Sequence, residues 1–168
     1  RNMTDSYTQN QHHPRALRHQ SCFSMERERI LHAARAFDIM GLGGKTVERF
    51  IQEGLLTSPP DLFRLNEQEV AQLEGFGEVS AQKLLLEISQ KKTISLPSFI
   101  VALSIPHVGE QTAFALAQAF QTIEKVRGAN KDILIAIDDV GEIVAEAIVD
   151  FFSSERAGHM LTAYQDAG

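Results

Sequence analysis

A five-residue frame returns along this chain at nearly constant spacing. Gly77-Glu78-Val79-Ser80-Ala81, Gly109-Glu110-Gln111-Thr112-Ala113 and Gly141-Glu142-Ile143-Val144-Ala145 follow one another at steps of 32 residues. Gly43-Gly44-Lys45-Thr46-Val47 stands 34 residues before the first of these, with Val in the Ala place. The neighbours agree as well. Ile39, Leu73, Ile105 and Ile137 lie four residues before the glycine, Leu42, Phe76, Val108 and Val140 one before, and Phe50, Leu84, Leu116 and Ile148 seven after. A period of this length with glycine at fixed phase means that one small supersecondary unit is used four times.

Small or apolar residues at four, seven and eight past the glycine follow a helical stripe: Ala81, Leu84, Leu85; Ala113, Leu116, Ala117; Ala145, Ile148, Val149. The alanine lets a second helix approach closely. Asn66-Glu67-Gln68-Glu69 has a capping-box pattern ahead of the second glycine, and Asn130-Lys131-Asp132 opens a run ahead of the fourth. Each unit therefore reads as a helix, a short glycine-bearing hairpin and a second helix. Two turns carry the fuller form apolar-x-Gly-apolar-Gly, through Gly41 and Gly43 and through Gly75 and Gly77; the other two put His107 and Asp139 where the first glycine stands.

The repeated frame resembles the helix-hairpin-helix family, whose members grip the DNA backbone without reading sequence. Longer runs narrow the likeness. Phe37 to Lys45, Asp61 to Leu65, Gly77 to Gln82, Ala102 to Glu110 and Asp139 to Phe152 are similar, in order, to the helix-hairpin-helix domain of bacterial NAD-dependent DNA ligases, a similarity covering about residues 22 to 165. The resemblance implies an all-α domain of four tandem helix-hairpin-helix motifs that embraces nicked duplex DNA, in a cytoplasmic, nucleoid-associated enzyme of replication and repair. It also implies partner ligase domains, NAD as cosubstrate and a four-cysteine zinc module upstream. Only Cys22 is present in this chain, so zinc is not expected in it, and no cofactor is expected here. The expected organisation is a loosely ordered arm over 1–21, the tandem domain over 22–153, and a C-terminal helix or tail over 154–168.

A helix N-terminus has unpaired N–H groups and a dipole that favours an anion, and glycine lets a phosphate oxygen come close. The candidate DNA contacts are therefore Gly41, Gly43, Gly75, Gly77, Gly109 and Gly141, with His107 at the third tip. The cations Lys45, Arg49 and Lys83 on the helices that follow the first two turns join them. The competing reading is that a hairpin glycine serves only close helix packing or a positive φ. Glu78, Glu110 and Glu142 suit the helix dipole and read as structural. Asp139 reads as a turn residue. Lys91-Lys92 ends a helix, where cations suit the last carbonyls. His12, His13, His19 and Cys22 are a weak metal set, with His19 and Cys22 the pair at usable spacing, against a basic tail with incidental histidines.

Charge opposes simple attraction to DNA. The formal net charge is −6. Residues 1–35 carry six basic and three acidic groups, whereas residues 36–152 carry nine and seventeen. Binding must then come from local geometry against a repulsive field, with modest, salt-sensitive affinity. The acidic surface keeps a second reading open, a protein–protein adaptor on the same scaffold. No lysine stands in a Lys-x-Asp-Gly setting for nucleotidyl transfer and no Gly-x4-Gly-Lys-Ser/Thr loop occurs, so catalysis is not expected of this chain alone. No apolar run is long enough to span a membrane, and one cysteine suits a reducing compartment.

Overall fold

The computed structural model describes residues 14–168, with side chains from Phe23 onward. Every regular element among the described residues is helical. Helices α1 (Pro14–Ala36) and α2 (Gly44–Gln52) flank hairpin 1, and α3 (Glu67–Ala71) and α4 (Glu78–Gln90) flank hairpin 2. A 3₁₀ segment, Pro59–Arg64, links these two units. The plan then repeats: α5 (Leu96–Ala102) and α6 (Glu110–Phe120) flank hairpin 3, α7 (Ile123–Gly128) is the link, and α8 (Lys131–Ile135) and α9 (Glu142–Ser153) flank hairpin 4. Helix α10 (Glu155–Ala167) ends the chain. Most of the arm expected over 1–21 lies outside the described residues; α1 begins inside that span, at Pro14.

Hairpins 1 and 3 share one backbone detail that 2 and 4 lack. Five residues before the glycine, Asp38 and Ser104 take positive φ (59° and 56°). Gln72 and Ala136 take φ of −78° and −65° at the same place. The unit of duplication is thus a pair of hairpins. The first helices of the two pairs, α1 and α5, pack on each other, and His32 Nε2–H on α1 donates to the Val101 carbonyl on α5 at 2.9 Å.

The core follows the sequence frame. Val47, Phe50, Ala81, Leu84, Ala113, Leu116, Ala145 and Ile148, at four and seven past each glycine, are all buried. Burying such side chains contributes about 1.5–3 kcal/mol for each large one. Helix α10 is more than a tail. It packs on the 3₁₀ segment of the first pair and on α9 of the second. Its Tyr164 joins Phe37, Phe63 and Phe99 in an aromatic cluster, with ring centroids 5.7 Å from Phe37 and 5.3 Å from Phe99. Arg64 Nη2–H donates to the Ala163 carbonyl at 3.2 Å, and Lys92 Nζ–H to the Ala167 carbonyl at 3.0 Å. One helix therefore clasps both pairs.

Candidate nucleic-acid interface

The helices divide by how they begin. Helices α3, α5, α7, α8 and α10 start with Asn66, Ser95, Thr122, Asn130 and Ser154, and each of those side chains accepts a first-turn N–H. This is ordinary N-capping, which satisfies donors that the helix leaves unpaired. Helices α2, α4, α6 and α9 start with Gly43, Gly77, Gly109 and Gly141, and none has a side-chain cap. Their first-turn N–H groups remain available to an outside acceptor.

These glycines are not required by the fold around them. Their φ values, −93°, −127°, −99° and −87°, are ones any residue adopts. A Cβ built at any of the four meets nothing within 4 Å. Positive φ is therefore not the reason for glycine at these four caps. It does apply at Gly75, whose φ is +85°, but not at Gly41. At Gly41 the constraint is contact: a Cβ there would lie 2.8 Å from Glu87 Oε2 and 3.3 Å from Leu84 Cδ1 of α4, the ends of two flexible side chains that would have to shift. His107 holds the left-handed conformation (φ +67°) at the place Gly75 occupies in hairpin 2.

The cations fall into two groups. Lys45 and Lys83 are exposed, and neither forms an ion pair among the described residues. Arg49 is half-buried and its Nη1–H donates to the Glu74 carbonyl of hairpin 2, with the side chain packed over Gly75. Part of its guanidinium is thus committed to positioning that hairpin. Lys91 is likewise engaged, its Nζ 3.1 Å from Asp38 Oδ2 of hairpin 1. The first two hairpins are in this way tied to each other's helices.

Two residues near hairpin 1 escaped the repeat frame. Arg27 of α1 reaches the start of α2, where its Nη2 lies 2.6 Å from the Cβ position of Gly44. Glu87 accepts hydrogen bonds from the hairpin 1 backbone. Glu53 stands ten past Gly43 as Glu87 stands ten past Gly77, and Lys125 stands sixteen before Gly141 as Arg27 stands before Gly43, so phase alone does not tell the residues that reach hairpin 1 from those that do not. Glu142 pairs with Lys131 at 3.2 Å, which keeps that first-turn acid employed within hairpin 4. The side chains of Cys22 and His19 lie outside the described ones; no group of three or more His, Cys, Asp or Glu among the described residues is arranged to hold a metal ion. A single cysteine does not supply the thiolates of a four-cysteine zinc module.

Comparison with known proteins agrees with this geometry. Residues 35–90 match the family model described as SAM-like helix-hairpin-helix tandem, and residues 98–161 match the helix-hairpin-helix motif model. The chain is similar to the DNA ligase of Ectopseudomonas mendocina strain ymp, 42% identical over 145 residues, covering 85% of this chain and 18% of the relative. It is 42% identical over 150 residues to the DNA ligase of Pseudomonas putida strain F1, covering 88% of this chain and 19% of that protein. The figure for the DNA ligase of Pseudomonas aeruginosa strain LESB58 is 40% over 149 residues, again 88% and 19%. The chain thus spans about a fifth of the length of these relatives. Two tandem matches, divided where the duplicated pairs divide, and four glycine-capped second helices make this chain a member of the helix-hairpin-helix family.

Proposed function

We propose that this chain binds duplex DNA through its backbone phosphates, without sequence preference, as the DNA-gripping part of a DNA ligase. The observation that carries this reading is the set of four glycine N-caps, open to solvent and unconstrained by φ, in a chain that caps five other helices with side chains. A phosphate oxygen takes the N–H bonds that a cap would otherwise take, and the helix dipole adds to the attraction. Lys45 on α2 and Lys83 on α4 add two exposed cations that are unpaired among the described residues. The finer reading follows the ligase similarity: the preferred substrate is nicked duplex, the parent enzyme is NAD-dependent and acts in replication and repair, and adenylation belongs to its other domains. This chain then supplies grip and orientation, not the reacting groups.

Fluorescence anisotropy of labelled intact and nicked duplexes, titrated against salt, tests this. Expected is binding in the ~10⁻⁴–10⁻⁶ M range at physiological salt, indifferent to sequence and weakening steeply as salt rises. A flat salt response, or no binding at low ionic strength, overturns the reading. In that case the adaptor alternative gains, favoured by the net charge of −6 and by exposed Val79 and Ile143 beside two of the glycine caps.

A further inference from the structure

Hairpin 1 departs from the other three in its hydrogen bonding. In hairpins 2, 3 and 4 the residue before the glycine cap donates its N–H to the carbonyl three residues back: Phe76 to Leu73 at 2.9 Å, Val108 to Ile105 at 3.1 Å, and Val140 to Ile137 at 2.9 Å. Hairpin 1 makes the corresponding turn over Met40 and Gly41. The tip amides of hairpin 1 also meet a carboxylate, which sets this hairpin apart among the described residues. Gly41 N–H lies 3.2 Å from both Oε1 and Oε2 of Glu87, and Met40 N–H donates to Oε1. Glu87 comes from α4, the second helix of the neighbouring hairpin, and forms no ion pair among the described residues. Ten residues past the glycine cap of hairpin 4, the place of Glu87 in the second pair, stands the buried Phe151.

Adjacent backbone N–H groups converging on one carboxylate form an anion-binding nest. A phosphodiester presents the same charge and the same kind of acceptor oxygens. From this we infer that Glu87 sets the affinity of the DNA-binding face: in the free protein its carboxylate occupies the amide pair of hairpin 1, and it yields that pair to a phosphate of the duplex. The inference rests on the DNA-binding reading above and names the residue that opposes it. A carboxylate at the tip amides leaves a negative charge on the hairpin two residues from the Gly43 cap. Its release frees the amides of Met40 and Gly41 for a phosphate.

The test is salt-dependent anisotropy with an intact duplex on wild type, Glu87→Gln and Glu87→Ala, beside amide hydrogen exchange at Met40 and Gly41. Glutamine keeps the size and an acceptor oxygen but drops the charge. Expected is binding by Glu87→Gln tighter than wild type by roughly three- to tenfold at low salt, with the gap narrowing as salt screens the charge. The two tip amides should exchange faster in free Glu87→Ala than in free wild type, and the two proteins should converge once saturated with duplex. If wild type binds and Glu87→Gln binds no tighter, or more weakly, Glu87 is a strut and the inference is overturned while the DNA reading stands. Failure of wild type itself to bind duplex at low salt overturns the DNA reading, and this inference with it.

Discussion

The two hairpin pairs have the same backbone plan and different side-chain chemistry. In the first pair the second helices carry Lys45, Arg49 and Lys83, and polar contacts from Arg49, Glu87 and Lys91 tie each hairpin to its neighbour's helix. In the second pair α6 and α9 contain no lysine or arginine. There Ala115 and Phe151 stand where Arg49 and Glu87 stand in the first pair. Residues 96–153 hold three basic groups against eight acidic, compared with six against nine over 37–95. Duplication has kept the open glycine caps in both pairs and cations on the second helices in only one. The uncapped helix starts are thus common to both pairs, and cations on the helices that follow them are local to the first.

The largest expected effect tests whether the pairs are one body at all. Tyr164→Ala removes the ring by which α10 joins the clustered rings of Phe37, Phe63 and Phe99. It should cost about 3–5 kcal/mol, and both pairs should melt in a single transition. Two separate calorimetric transitions in wild type would show that the pairs fold independently. Tyr164→Phe is the control: its buried hydroxyl has no partner among the described residues, and burial pushes the phenol pKa well above its ordinary value. Losing that hydroxyl should leave stability unchanged or slightly raised.

Next in size is the division between gripping and architectural hairpins. Gly43→Val and Gly77→Val should weaken DNA binding about tenfold or more, and Gly109→Val and Gly141→Val less, because only the first pair carries lysine or arginine on the helices that follow the caps. Since all four φ values are extended and all four Cβ positions open, each variant should lose a similar ~1 kcal/mol or less, for a poor N-cap residue. Equal loss of affinity at all four positions would erase the distinction between the pairs.

His107→Gly should stabilise the protein by about 1 kcal/mol, because glycine adopts the positive φ that histidine holds under strain. A thermal melt measures that, and a parallel loss of DNA affinity would identify the imidazole as a contact. The smallest effects concern single charges. Lys45→Ala and Lys83→Ala should each lower the salt slope by about one, and Ile143→Lys should raise it by about one by giving hairpin 4 what hairpin 1 has. If Ile143→Lys leaves the slope unchanged, hairpin 4 does not meet the duplex.

Much of this was legible in the sequence. The spacing of glycine, alanine and leucine located every second helix, and Asn66 and Asn130 cap the helices expected after them. Those features are local: a turn, a cap and a 3.6-residue stripe depend on neighbours a few positions away. The repeats also announced the four-unit plan, because identical local patterns fold alike. Only the tertiary structure decided why the cap glycines are glycine. Sequence left positive φ and close packing as alternatives, and the absence of either at Gly43, Gly77, Gly109 and Gly141 depends on what surrounds them in space. The same holds for Glu87, Arg27 and Arg49, whose partners lie on other elements: Arg49 meets Glu74 across 25 residues, and Glu87 meets Gly41 across 46. The C-terminal segment was readable as helical or tail, yet its work as a clasp follows from Tyr164 reaching rings contributed by both pairs. A period fixes what each unit is; which charge meets which backbone is set by how the units pack, and long-range contacts of that kind leave no mark in local spacing.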